Sequence, residues 1–212
     1  MVRDLRAAGL AGRRIADVCV HWPRIVGGGL RAAEFRRRLR GQRILAVSRR
    51  AKFILFALSG GATLFVHLRM TGQFRFARRA ERRDPHEHLV LQLDDGRELR
   101  FHDTRKFGRW RLVDDATEIT GKLGPEPLGL AFRLAPFQAA LRARRRLLKP
   151  LLLDQTFVAG VGNIYADETL WQARLHPRRR SDRLRPAESA ALYRAIRYVL
   201  ARAIRNRGTS LG

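Results

Sequence analysis

Apolar residues come in short, often alternating bursts through the first half of the chain and at helical spacing through the second. The bursts are rich in β-branched and aromatic side chains. They predict strands at Ile15–His21, Arg43–Ser48, Lys52–Leu58, Thr63–Arg69, Gln73–Ala77, His88–Leu93, Glu98–His102 and Arg109–Val113. Turn-forming clusters separate them, and those at residues 59–63 (SGGAT) and 94–98 (DDGRE) suit hairpins. Phe53–Leu58 is apolar on both faces, as in a strand inside a sandwich. Helices are predicted at Val2–Leu10 and around Leu30–Leu39. After Gly124-Pro125-Glu126-Pro127, helical spacing predicts helices near 136–148, 164–174 and 187–206; in the last, Leu192, Ile196, Val199 and Ala203 share a face. The pattern divides the chain into a β-rich unit (1–117), a linker (118–135) and a helical unit (136–212), an α+β organisation.

Composition changes this picture in one respect, the partner. The 212 residues are 45% hydrophobic, which excludes a disordered chain. The formal net charge is +25. Residues 1–120 carry 26 basic and 13 acidic groups, residues 121–212 carry 18 and 6, so the excess is shared by both halves. That excludes a basic tail on a neutral body and points to a polyanion, a nucleic acid, held in a cleft between the units. No apolar run nears the roughly 18 residues of a membrane span. The single cysteine, Cys19, excludes an internal disulfide or a cysteine-rich zinc site. A cytoplasmic monomer with no metal of its own is expected; His86 and His88 share a strand face but lack a third ligand.

Candidate chemistry follows from the charge. Gly160 and Gly162 lead into Asn163, where helical spacing begins, so Asn163 is expected to cap a helix whose amide-rich tip binds a phosphate. A tight inter-helix turn explains the glycines equally well. Of 44 basic residues only 4 are lysines. Lys52 heads an apolar strand behind Arg49 and Arg50, so burial and adjacent charge would favour a neutral amine; a strand-end lysine reaching to solvent is the plainer reading. The segment His102-Asp103-Thr104-Arg105-Lys106-Phe107-Gly108 puts cationic and apolar side chains on one loop, as a wedge into a base stack requires; Met70 gives a second apolar tip. Both Met70 and Phe107 also fit core positions at strand ends. Arg142, Arg144, Arg145 and Arg146 lie on a predicted helix, whose solvated face would account for them.

With these motifs in order, the chain resembles the bacterial formamidopyrimidine-DNA glycosylase family, the helix-two-turn-helix repair enzymes that include endonuclease VIII. The resemblance rests on RRAKFILF (49–56), VHLRMTG (66–72), HEHL (86–89), HDTRKFGRW (102–110), LGPEPL (123–128), LKPLLLDQ (148–155) and GVGNIYADE (160–168). It implies an N-terminal antiparallel β-sandwich with flanking helices, then an all-helical helix-two-turn-helix domain. It implies base-excision repair on duplex DNA carrying oxidised purines such as 8-oxoguanine and formamidopyrimidine, by glycosylase and AP lyase activities. Lys52 is similar to the family's active-site lysine, which serves β-elimination. Met70, Arg105 and Phe107 are similar to the three residues that fill the gap left by the flipped nucleotide, Arg105 facing the orphaned cytosine. His86, Arg144 and Asn163 resemble phosphate contacts.

The chain departs from the family pattern at both ends. The family opens on Pro-Glu, the proline amine attacking C1′ of the damaged nucleotide, and closes on a four-cysteine zinc finger; neither motif occurs in these residues. The expectation is therefore a core fragment, with no cofactor in this chain and impaired catalysis. The alternative is a damaged-DNA-binding protein without catalysis.

Overall fold

The computed structural model describes residues 1–206. The tail at 207–212, expected to run on into a loop, lies outside the described residues. Two compact units divide between Thr120 and Gly121.

The first unit is a sandwich of two four-stranded antiparallel sheets. Its elements are α1 (Val2–Ala7), β1 (Ile15–Val20), α2 (Ala32–Leu39), β2 (Ile44–Arg50), β3 (Phe53–Leu58), β4 (Thr63–His67), β5 (Gln73–Arg78), β6 (Glu87–Leu93), β7 (Arg97–His102), β8 (Arg109–Val113) and α3 (Thr117–Thr120). One sheet runs β1-β6-β7-β5, the other β2-β3-β4-β8. Hairpins at 59–62 and 94–96 join β3 to β4 and β6 to β7. Alternation packs Ile54, Phe56, Leu64, Val66, Leu89, Leu91, Leu99, Phe101 and Trp110 into one core between the sheets.

The register places five of the predicted site residues at one end of this sandwich. Phe53 pairs with His67 and His67 with Arg109; Gln73 and Glu87 both pair with His102. The β2–β3 turn with Lys52, the β4–β5 loop with Met70, the β7–β8 loop with Arg105 and Phe107, and the segment carrying His86 into β6 therefore leave the sheets together.

The second unit is helical: α4 (Leu134–Arg144), α5 (Leu148–Leu153), α6 (Asn163–Gln172) and α7 (Pro186–Arg205), with a 3₁₀ turn at Ser181–Arg183. Its core gathers Phe137, Leu141, Leu151, Leu152, Val161, Leu170, Leu192 and Ile196. The helix expected over 136–148 ends at Arg144, because Arg145 turns left-handed at φ 45°. A short helix the spacing did not predict, α5, follows; Pro150 sits in its first turn, where no amide partner is lost. The Gly124–Pro127 stretch lies against this unit: Gly124 N–H donates to Gln155 O, Ala159 N–H to Pro125 O, and the Arg197 guanidinium to Pro127 O at 2.6 Å.

Candidate nucleic-acid interface

The loops at the end of the sandwich are bolted together by one buried carboxylate. Asp103 is 0% exposed. Its carboxylate takes the Thr71 hydroxyl from the Met70 loop and the Gly108 amide, at 2.7 Å, from the Phe107 loop. Its own amide donates to His86 O at 2.9 Å, and its carbonyl bonds the His88 ring at 2.9 Å. Close packing completes the junction. A Cβ on Gly72 would lie 2.7 Å from the Phe101 ring, and one on Gly108 would lie 2.6 Å from it, so only glycine lets both loops reach the same aromatic.

Fixed in this way, the two loops present their apolar tips outward. Met70 is 68% exposed and Phe107 44%, so neither is a core residue at a strand end. Arg105 is exposed and lies over the Phe107 ring at 4.7 Å, a cation–π contact that keeps the two side chains adjacent. His86 is exposed beside them, its amide held by Asp84 at 2.7 Å and its ring 5.7 Å from that of His102.

Lys52 lies in the β2–β3 turn, just before the strand it was expected to head, next to Ala51 at φ 53°. Burial pulls its pKa below the usual lysine range, and the Arg69 guanidinium adds to the effect. The charge responsible is therefore Arg69, across the sheet end, and not the sequence neighbours Arg49 and Arg50. The Arg49 side chain instead donates to Ala51 O at 2.7 Å and holds the turn. His67 completes this cluster. Burial, then Arg69 and Lys52, lower its pKa to about 4, and its Nδ1 accepts the Arg69 amide at 3.0 Å, which requires a neutral ring.

In the second unit the glycine loop before α6 is stapled by Gln155. Its side chain accepts from Gly160 N–H at 2.9 Å and donates to the Leu153 and Val161 carbonyls at 2.9 and 3.0 Å. Asn163 is not the cap. Gly162 is, extended at φ −105° and ψ 178°, and its carbonyl takes the first helical bond from Ala166. Asn163 is the first helical residue, exposed at the amide-rich tip, where the first turn holds no acid. Arg144, the last residue of α4, lies 5.6 Å over the ring of Phe157, which leads into the same loop. Arg146 is tied to Asp154 at 2.6 Å, whereas Arg144 has no carboxylate partner among the described residues.

Asp103, Thr71, Gln155, Arg69 and His67 were not singled out from the sequence. All five lie inside motifs quoted above; Asp103 and Thr71 meet only across 32 residues of chain, and Gln155 acts by folding its own loop back on itself. A small polar residue beside an exposed apolar tip was the available signal. Among the described residues no group of three or more His, Cys, Asp or Glu side chains is placed to hold a metal, and the lone cysteine does not fit a four-cysteine finger. No helix among the described residues is long and apolar enough to cross a membrane.

An antiparallel sandwich that projects cationic and apolar loop tips, and a helical unit with an open helix tip, suit a nucleic-acid-binding protein. The comparisons agree. Residues 1–110 match the family model of the formamidopyrimidine-DNA glycosylase N-terminal domain, and residues 123–212 match that of the formamidopyrimidine-DNA glycosylase H2TH domain. The chain belongs to the formamidopyrimidine-DNA glycosylase family. It is 44% identical to the enzyme of Protochlamydia amoebophila over all of its own length and 76% of that relative, and 49% identical to that of Herpetosiphon aurantiacus over 90% of its length and 70% of the relative. It is also similar to the Lactococcus lactis enzyme solved with DNA containing an abasic site (TM-score 0.90, 34% identity, 99% of this chain and 78% of that one). The L. lactis complex with Fapy-dG-containing DNA matches at the same TM-score and identity, over 99% of this chain and 79% of that one.

Proposed function

We propose that the chain recognises duplex DNA at oxidised purines, 8-oxoguanine and formamidopyrimidine, and at abasic sites. Met70, Arg105 and Phe107 fill the slot left by the extruded nucleotide. The observation that carries this reading is the Asp103 junction, which holds exposed Met70 and the Arg105–Phe107 pair on two fixed loops. Phe107 wedges the stack and Arg105 pairs with the widowed base. His86 in the first unit, and Asn163 and Arg144 in the second, take backbone phosphates. The relatives solved on abasic and Fapy-dG DNA support the choice of lesion.

Lys52 supplies AP lyase chemistry. Its lowered pKa makes a neutral amine accessible, which adds to the aldehyde C1′ of an abasic sugar and loses water. The resulting iminium acidifies C2′, and the 3′ phosphate leaves by β-elimination. A second reading, a damaged-DNA-binding protein without catalysis, keeps the lesion binding and lacks the covalent step.

Competition binding tests the recognition. Duplex with a tetrahydrofuran abasic analogue should bind about tenfold more tightly than intact duplex, and equal affinities would overturn the reading. Borohydride trapping on abasic duplex tests the chemistry. A covalent adduct lost in Lys52→Ala supports it, and an adduct unchanged by that substitution assigns the amine elsewhere.

A further inference from the structure

A cationic recess of about 670 Å³ opens on the outer face of the β1-β6-β7-β5 sheet, lined among others by Gln73, Arg75, Arg82, Arg83, Asp84 and His102. Its floor is the paired end of β5 and β7, where Gln73 faces His102 in register. Phe74, Phe76 and Phe101 point the other way, into the core. The wall is the segment 79–86, which ends at His86.

That wall is held by a buried ion network. Arg100, 2% exposed, bonds Glu98 at 2.8 Å and Glu87 at 3.2 Å, and donates to the carbonyls of Arg78, Glu81 and Arg82. Arg75 bonds Glu87 at 2.7 Å and Glu81 at 2.9 Å. The acids of this face are thus matched from within. Asp84 accepts the His86 amide at 2.7 Å and lies 3.4 Å from the His102 ring. Of the guanidiniums that line the recess, two have no carboxylate partner. Arg83 donates only to the carbonyls of Asp84 and Glu87, and the Arg82 side chain makes no hydrogen bond or ion pair among the described residues. A fixed wall that presents uncommitted guanidiniums is arranged for an anion that arrives from outside.

The recess adjoins the loop tips. Gln73 follows the Met70–Gly72 turn directly, and His102 precedes Asp103. Resting on the DNA-binding reading above, we infer that this recess takes a further backbone phosphate of the duplex, flanking the lesion beyond the one at His86, with Arg82 and Arg83 as its grip. Arg82 lies outside the loops that carry the plug, so its contact adds affinity and footprint without adding lesion preference.

The test uses abasic-analogue duplexes of about 30 base pairs, each carrying one neutral methylphosphonate, with Arg82→Ala and Arg82→Glu beside the unaltered chain. At one flanking position, neutralisation should weaken the unaltered chain several-fold and leave Arg82→Ala unaffected. On the fully charged duplex the variant should lose about 0.9 from its log–log salt slope, and its ratio of lesion to intact affinity should stay the same. Arg82→Glu should lose more affinity, and Arg82→Lys should restore most of it. The inference is overturned if no methylphosphonate position loses its effect in Arg82→Ala, or if all lose it equally. If the unaltered chain shows no salt-dependent preference for the abasic duplex, the DNA reading itself fails, a result separable from either outcome at Arg82.

Discussion

The ring of His67 is kept neutral first by burial and then by the charges of Arg69 and Lys52 around it, and its Nδ1 accepts the Arg69 amide. At neutral pH the folded chain leaves it unprotonated and the unfolded chain protonates it only in minor part. As acidity rises past 6.5, the unfolded chain gains a proton that the folded chain refuses until about 4. Stability is therefore lost across that window, by roughly 1–3 kcal/mol after solvent screening. His67→Asn, which can keep the acceptor without the titration, should lose less stability between pH 7 and pH 4.5 in urea melts; equal losses would refute the assignment. The same cluster sets Lys52. Arg69 holds φ 58°, which asparagine tolerates, so Arg69→Asn removes a charge with little strain. Lys52 then regains basicity, and the pH midpoint of borohydride trapping should move up. A midpoint that stays in place would leave burial as the sole cause.

At the scale of elements, Asp103 converts two loops and one strand entry into a single surface. Asp103→Ala strands the Thr71 hydroxyl and the Gly108 amide in a dry site, which costs about 2–4 kcal/mol. The preference for abasic over intact duplex should fall with it, because the two tips lose their common anchor; a variant that keeps full preference would show the loops to be independently fixed. Gly108→Ala drives a methyl into the Phe101 ring and should cost about 1–3 kcal/mol, partly recovered by adding Phe101→Leu. Much of this arrangement was legible in the chain. The β8 strand falls at Arg109–Val113, where alternation put it, and all eight strands are present because period-two patterning against one core leaves little choice. The α5 helix was not legible: Leu148–Leu153 is a short apolar run with a proline, which periodicity does not resolve. Nor was the source of the Lys52 perturbation. The hairpin at 59–63 was legible, but the register that sets Phe53 against His67 and so brings Arg69 to Lys52 was not.

Over the whole molecule, the net charge of +25 is shared almost equally by the two units, and DNA binding should reflect both. Every phosphate neutralised by a cationic group releases condensed counterions, so the logarithm of affinity falls linearly with the logarithm of salt, by about 0.9 per contact. Plug residues and phosphate residues then separate by their signatures. Arg144 stands over Phe157 at the glycine loop of the second unit, clear of the Arg146–Asp154 pair, and its charge is available to the backbone. Arg144→Ala should weaken abasic and intact duplex alike and lower the slope by about one. Phe107→Ala removes an uncharged wedge. It should leave the slope unchanged and reduce the lesion-to-intact ratio, since the energy it supplies is realised only where a base has left the stack. Titrations of both duplexes across a salt series read the two quantities from the same data. If Phe107→Ala lowered the slope, or Arg144→Ala altered only the ratio, the division of labour between phosphate-holding and plug residues would be wrong.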